Sequence, residues 1–217
     1  MEKRTFKNSI YNAIAGQAKA FGHANRLEIL DLLANGEKTV EQVATQTDIT
    51  VANASHHLQL LKNARLVKSR RDGNFIFYAL NGRKAYAAWK ALRELALEAE
   101  PTVQLILHQY RGENYSASSV SKKVNAPAGD LLLLDVRPPG EFEAGHLPDA
   151  VSIPLEELPQ RLGELPRQRT IGAYCRGVFC TFADEAVQLL RANGFKAVRL
   201  DETFLDFKLL TDDSWKN

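Results

Sequence analysis

Apolar residues change their period along this chain, and the change divides it. Within residues 19–33 they recur at helical spacing (Phe21, Leu27, Leu30, Leu33), and Asn35-Gly36 supplies a stop. Val40, Val43 and Ala44 predict a short second helix over residues 40–47. The turn Asp48-Ile49-Thr50 leads to a third over about 51–64, which Thr50 is placed to cap. Two short helices joined by a tight turn predict a helix-turn-helix. Residues 66–71 and 75–80 then read as strands on either side of Asp72-Gly73-Asn74, which makes a β-hairpin. A helical stretch over residues 83–109, interrupted near Pro101, closes this half.

Beyond the polar run at 116–121 the pattern becomes one of short continuous apolar segments. Residues 131–136 (Leu-Leu-Leu-Leu-Asp-Val) read as a buried strand, and 171–174 and 197–200 as two more. A helix over 182–193, ended by Gly194, lies between the last two. Strands alternating with helices predict a parallel α/β sheet. The expected organisation is therefore two domains: 1–112, mainly α, a winged helix-turn-helix with a β-hairpin wing, and 113–217, an α/β domain.

Charge adds a direction to this division. Residues 1–100 carry 15 Lys+Arg against 10 Asp+Glu, and residues 101–217 carry 13 against 16. The first half suits a polyanion and the second does not. With no apolar run long enough to cross a bilayer and no signal-like N-terminus, the expected location is cytoplasmic, without a membrane partner.

The third helix carries the chemistry of the first half. Ala54, Leu58 and Leu61 share one stripe, which leaves Ala52, Asn53, Ser55, His56 and Gln59 on the other face with Thr50 at its start. Amide, hydroxyl and imidazole groups in place of the usual Lys and Glu suit base edges in a major groove. Arg70, Arg71 and Asn74 at the hairpin tip suit phosphates or a minor groove. A plain solvated face is the alternative.

In the second half the chain's two cysteines fall in one run, Tyr174-Cys175-Arg176-Gly177-Val178-Phe179-Cys180-Thr181, between a strand and a helix. In parallel sheets the reactive loop lies at a strand's carboxyl end, with the next helix pointing its N-terminus at it. Thr181 followed by Asp184 resembles a capping box. Backbone N–H groups of Gly177, Val178, Phe179 and Thr181, with Arg176, are expected to converge on the Cys175 sulfur and lower its pKa. Cys180 is either a resolving thiol or a partly buried bystander.

The segments FGHANRLEILDLLANGEKTVEQVA, VANASHHLQLLKNARLV and RRDGNFIFYAL resemble the ArsR family of bacterial winged-helix repressors. The resemblance implies a homodimer on inverted-repeat double-stranded operator DNA, with Tyr86, Trp89, Leu92 and Leu95 between subunits. Classical members sense metals through cysteines at the start of the first helix of the motif, here Thr39-Val40-Glu41-Gln42-Val43, or through His and carboxylate pairs on the last helix. This chain departs from both, and His23, His56, His57 and His108 show no ligand spacing, so no metal is expected.

LLLLDVRPPGEFEAGHLPDAVSIPLEEL and AYCRGVFCTFADEAVQLLRANGF resemble rhodanese domains. That resemblance makes Cys175 the sulfur-carrying nucleophile and matches Asp135, Arg137, Glu141, Gly145 and His146 to the first motif, Asp135 and Arg137 in supporting roles. The usual Gly-Gly before an aromatic is replaced by Glu202-Thr203. Phosphatase relatives carry Arg six residues after the nucleophile, where this chain has Thr181.

The fusion predicts a DNA-binding regulator, a repressor by family, that senses a persulfide, polysulfide or thiosulfate donor at Cys175 without a cofactor. A sulfurtransferase tethered to a DNA-binding or dimerising module is the enzyme alternative, and a metalloid sensor a third.

Overall fold

The computed structural model describes residues 1–112 and 130–211, so the polar run at 116–121 and the expected boundary after residue 112 lie at or outside the described residues. The chain divides into two compact units, Met1–Ala91 and Leu92–Asn217. By packing, the division falls earlier than the break in composition.

The first unit contains α1 (Lys3–Ala18), α2 (Ala24–Leu33), β1 (Lys38–Thr39), α3 (Val40–Gln46), α4 (Val51–Asn63), β2 (Val67–Asp72), β3 (Phe75–Leu80) and the start of α5 (Arg83–Ala99). The single helix expected over 19–33 is broken. Residues Lys19–Phe21 form a 3-10 turn and His23, in extended conformation, caps α2 by accepting from the Asn25 N–H at 3.2 Å. Thr39 and Gln42 cap α3 reciprocally, with Gln42 Oε1 2.9 Å from the Thr39 N–H. Ile29, Leu30 and Leu33 of α2, Val43 of α3, and Ala54, Leu58 and Leu61 of α4 are buried together with Val67 and Tyr78 of the wing. The stripe read on α4 is thus its core face. β2 pairs antiparallel with β3 through a two-residue turn, Gly73-Asn74, in which Gly73 takes φ 57°. β1 adds a third strand on β3.

In α5, Tyr86 and Trp89 are already buried within the chain, and the Trp89 indole donates to Asp31 at 3.0 Å. Neither is available to a second subunit as expected, whereas Leu95 is exposed. α1 buries no residue.

The second unit contains the remainder of α5, α6 (Pro101–Arg111), β4 (Leu131–Asp135), α7 (Pro139–Ala144), β5 (Val151–Ser152), α8 (Leu158–Arg161), β6 (Thr170–Tyr174), α9 (Phe182–Ala192), β7 (Ala197–Leu200) and α10 (Phe204–Thr211). Its four strands lie parallel in the order β5-β4-β6-β7. Side chains alternate across a strand, so Ile171, Ala173 and Cys175 share a phase and enter the same core as Ala183, Ala186, Val187 and Leu190 of α9. Tyr174 faces the other way with Leu147 and Leu200. Gly172 is needed on that face, because a Cβ there would lie 2.8 Å from Leu200.

Asp135 and Arg137 are fully buried and pair through two short contacts, Nε to Oδ1 at 2.9 Å and Nη2 to Oδ2 at 2.6 Å. Arg137 also donates to the Gly145 carbonyl at 2.8 Å, tying the end of β4 to the end of α7. Removing one member strands a buried charge, which costs about 3–5 kcal/mol. Arg137→Met is therefore expected to lower the unfolding free energy of the second unit by that amount, read as a lower urea midpoint of its unfolding transition.

Candidate functional site

Cys175 follows β6 directly and is 1% exposed, while Cys180, one loop later, is partly exposed. The loop is wound through Gly177 at φ 114°, where a Cβ would lie 3.0 Å from the Thr203 methyl group. Glycine is required there on both counts.

The loop carbonyls point outward onto arginines. Arg199, from β7, donates to the Gly177 carbonyl at 2.7 Å and the Cys180 carbonyl at 2.9 Å. Arg111, from α6, donates to the Val178 carbonyl at 2.5 Å. Asp184 on α9 accepts from both arginines, and Asp201 takes the Arg199 Nε at 2.6 Å. The Cys175 thiol shares two of these carbonyls with Arg199, donating to that of Cys180 at 3.6 Å and toward that of Gly177 at 4.0 Å, while the N–H groups of Arg176 and Phe182 favour the Cys180 thiolate and that of Ala183 the Cys175 thiolate.

The two thiols titrate as a pair. The neighbouring Cys175 thiol is the largest influence on Cys180; with the N–H groups of Arg176 and Phe182 and the Arg176 charge it overcomes burial and holds Cys180 down at about 6. Burial, and then the Cys180 neighbour, push Cys175 well up. The expectation of a depressed Cys175 is therefore corrected: burial holds Cys175 up, and the thiol held low is the less buried Cys180.

Other expected parts of the cradle are placed differently. Thr181 makes no capping contact; its hydroxyl donates to Glu185 at 3.1 Å, because Asp184 is committed to Arg111 and Arg199. Arg176 is gripped by Glu141 through three contacts of 2.8–3.1 Å and lies over the Phe182 ring, so its charge is largely compensated. Val178 is buried and Phe179 exposed. Asp135 and Arg137 brace the sheet end by their mutual pair. Glu202-Thr203 replaces a glycine pair with a cap: the Thr203 hydroxyl accepts from the Asp206 N–H at 3.0 Å, and Asp206 accepts from Thr203 in return. Phe204 fills the space over Gly145, where a Cβ would meet its ring at 2.1 Å.

Sequence reading missed Arg199, Asp184 as a bridge, and Arg111. The only available signal was an arginine inside the apolar strand segment 197–200, which needs a buried partner.

In the first unit Thr50 caps α4, accepting from the Asn53 N–H at 3.2 Å, and Thr50, Ala52, Asn53, Ser55, His56 and Gln59 are all exposed. Gln59 donates to Asn63 at 3.0 Å. Arg71 and Asn74 are exposed at the wing tip, Arg71 donating to the Gly73 carbonyl. Arg70 is instead held by Glu37 and Asp72 and stacks on Phe77, so it is not offered freely to a phosphate. His23 and His57 lie with ring centres 4.5 Å apart, and burial, then His23 and Arg26, hold His57 below its usual range. Among the described residues no cluster of three His, Cys, Asp or Glu is arranged to hold a metal.

A winged helix-turn-helix with an exposed polar α4, and a parallel sheet whose strand end carries a cysteine loop, define a transcriptional regulator with a rhodanese-like domain. The pattern of bacterial regulatory proteins of the arsR family matches residues 23–69, and that of the rhodanese-like domain residues 116–208. The chain is 37% identical over 204 residues to the HTH-type transcriptional regulator Rv0324 of Mycobacterium tuberculosis, spanning 94% of this chain and 90% of that one. It therefore belongs to the ArsR family of transcriptional regulators, among those with a C-terminal rhodanese-like domain. The transcriptional repressor SdpR of Bacillus subtilis is 41% identical over 63 residues, 29% of this chain and 70% of that one. A sulfurtransferase of Allochromatium vinosum is 38% identical over 60 residues, 28% of this chain and 55% of its own length. Among solved structures, the homodimeric winged helix-turn-helix DNA-binding domain Mb0332 from Mycobacterium bovis is 35% identical with TM-score 0.43, covering 46% of this chain and 91% of that one.

The thiol pair generates a pH prediction. A pKa held low means the thiolate is present above about 6 and lost as pH falls through that value. Alkylation by iodoacetamide, followed by peptide mass, is expected to be half-maximal near pH 6. Either Cys180→Ser or Cys175→Ser moves that midpoint up into or above the ordinary thiol range, because each cysteine's setting depends on the other.

Proposed function

We propose that this regulator reads reactive sulfur through Cys175 and Cys180 and changes its affinity for operator DNA in response. The observation that carries the reading is the placement of Cys175 at the end of β6 against the first turn of α9, with Cys180 in the same short loop braced by Arg199 and Arg111. Cys175 passes its proton to the Cys180 thiolate and attacks the outer sulfur of a persulfide or polysulfide donor. The donor's S–S bond breaks, its leaving thiolate takes the proton from Cys180, and Cys175 carries the sulfane sulfur. Cys180 is the resolving thiol. Its thiolate attacks the inner sulfur of the Cys175 persulfide, forming a Cys175–Cys180 disulfide and expelling hydrosulfide. Because Cys175 is 1% exposed, attack requires the loop to open on its Cys180 and Phe179 side.

On the DNA side, the exposed face of α4 (Thr50, Ala52, Asn53, Ser55, His56, Gln59) reads the major groove of an inverted-repeat operator, with Arg71 and Asn74 at the wing tip. Arg70 joins them only by leaving Glu37. A homodimer is supported by α1, where Phe6, Ile10 and Ile14 recur at i, i+4, i+8 and are all exposed. The working location is the cytoplasm; among the described residues no helix is long and apolar enough to cross a membrane.

A tethered sulfurtransferase is the second reading, favoured by the rhodanese-like match. It would pass the sulfane sulfur to an acceptor thiol repeatedly without altering DNA affinity. A metalloid sensor draws no support, since soft metalloids take several thiolates and one chain offers two.

The test uses duplex DNA selected by the protein from a random pool. Treatment with glutathione persulfide is expected to shift affinity for that DNA by about 5- to 150-fold, the usual range of allosteric coupling. Cys175→Ser abolishes both the shift and the sulfur adduct in the intact mass. An adduct with unchanged DNA affinity and multiple turnover selects the enzyme instead.

A further inference from the structure

The cysteine loop is closed by a residue that neither matched segment contains. Arg111, in the last turn of α6, lies outside both 23–69 and 116–208. Its guanidinium donates from Nη2 to the Val178 carbonyl at 2.5 Å, and from Nε to both Asp184 oxygens at 3.1 and 3.2 Å. The side chain is 6% exposed. Arg93, also outside both segments, is buried nearby on α5, paired with Asp206 at 3.2 Å, its Nη1 3.6 Å from the position of a Cβ on Gly177.

These arginines are charge-compensated. Arg111 and Arg199 share Asp184, and Arg199 holds Asp201 as well. What Arg111 supplies is direction more than net field: a planar fork that fixes the Val178 carbonyl, inside the cysteine loop, to Asp184 in the first turn of α9. If the Val178 carbonyl swings free, the winding of the loop between Cys175 and Cys180 is no longer held from that side.

We propose that Arg111 is a positioning residue of the sulfur site, so that the rhodanese-like fold of this chain depends for its reactivity on the helix that precedes it. The proposal rests on the reading of Cys175 and Cys180 as the reactive pair. Arg111 touches neither sulfur; it acts through Val178 and Asp184.

The experiment compares full-length wild type with Arg111→Gln, Arg111→Lys and, as a surface arginine control, Arg161→Gln. Iodoacetamide alkylation is followed across pH with peptide mass assignment, beside the rate of sulfur-adduct formation with glutathione persulfide. Arg111→Gln is expected to raise the alkylation midpoint by about one unit, which slows alkylation at pH 6 up to about tenfold, and to slow adduct formation. Arg111→Lys shifts the midpoint in the same direction by less, since an ammonium keeps the charge but not the fork. Arg161→Gln matches wild type. Thermal unfolding identifies folded variants, and if Arg111→Gln does not fold, Arg111→Lys decides. A folded variant with the wild-type midpoint and adduct rate overturns the proposal. A wild type with an ordinary thiol midpoint and no adduct overturns the underlying sulfur reading, which is a distinguishable result.

Discussion

Everything at the sulfur site depends on which way the peptide groups of one short loop face. A buried backbone carbonyl needs a donor and a buried sulfur anion needs N–H groups, and one winding of loop 175–181 meets both demands. Arg199 and Arg111 take the carbonyls of Gly177, Val178 and Cys180, two of which also accept from the Cys175 thiol, and the N–H groups of Arg176, Phe182 and Ala183 favour charge on the sulfurs. Gly177 permits the winding and Thr203 packs against it. The parallel sheet contributes the platform: the phase that puts Ile171 and Ala173 in the α9 core delivers Cys175 onto the N-terminus of the same helix.

The arginines show how a site can be strongly ionic and still carry little net charge. Arg176 is answered by Glu141, Arg199 by Asp184 and Asp201, and Arg111 by the same Asp184. Were these cations uncompensated, they would lower both thiols together. Compensated, they leave burial and local dipoles to decide, and the two cysteines separate: the more buried Cys175 is held up and the less buried Cys180 is held down.

Much of the fold was legible from periodicity, because helices and strands with one buried face write that face into the sequence. Leu58 and Leu61 on α4, the hairpin around Gly73, and the strand before Cys175 all follow from it. The residues that were not legible act at long range. Arg111 and Val178 are 67 positions apart, Arg199 and Gly177 are 22, and Arg70 and Glu37 are 33, so no local pattern pairs them. The apparent capping box at Thr181 failed for the same reason: Asp184 had distant partners stronger than the local one. Breaking of the helix at His23 was local but rested on an imidazole acting as a cap, which lies outside the usual Ser, Thr, Asp and Asn set.

The pair also suggests why sulfur chemistry would alter shape. The N–H groups of Arg176 and Phe182 favour charge on Cys180, and the neighbouring Cys175 thiol helps to hold that charge there. In the proposed sequence the linked disulfide has neither the charge nor the thiol proton, and its bond geometry demands that the two α-carbons approach within about 7 Å. The N–H groups then lose their anion while the carbonyls keep their arginines, so the loop is pulled from one side only. Of the two arginines that hold those carbonyls, Arg199 stands in β7 and Arg111 at the end of α6, so the loop is tied both to the sheet and to a helix outside the rhodanese-like segment.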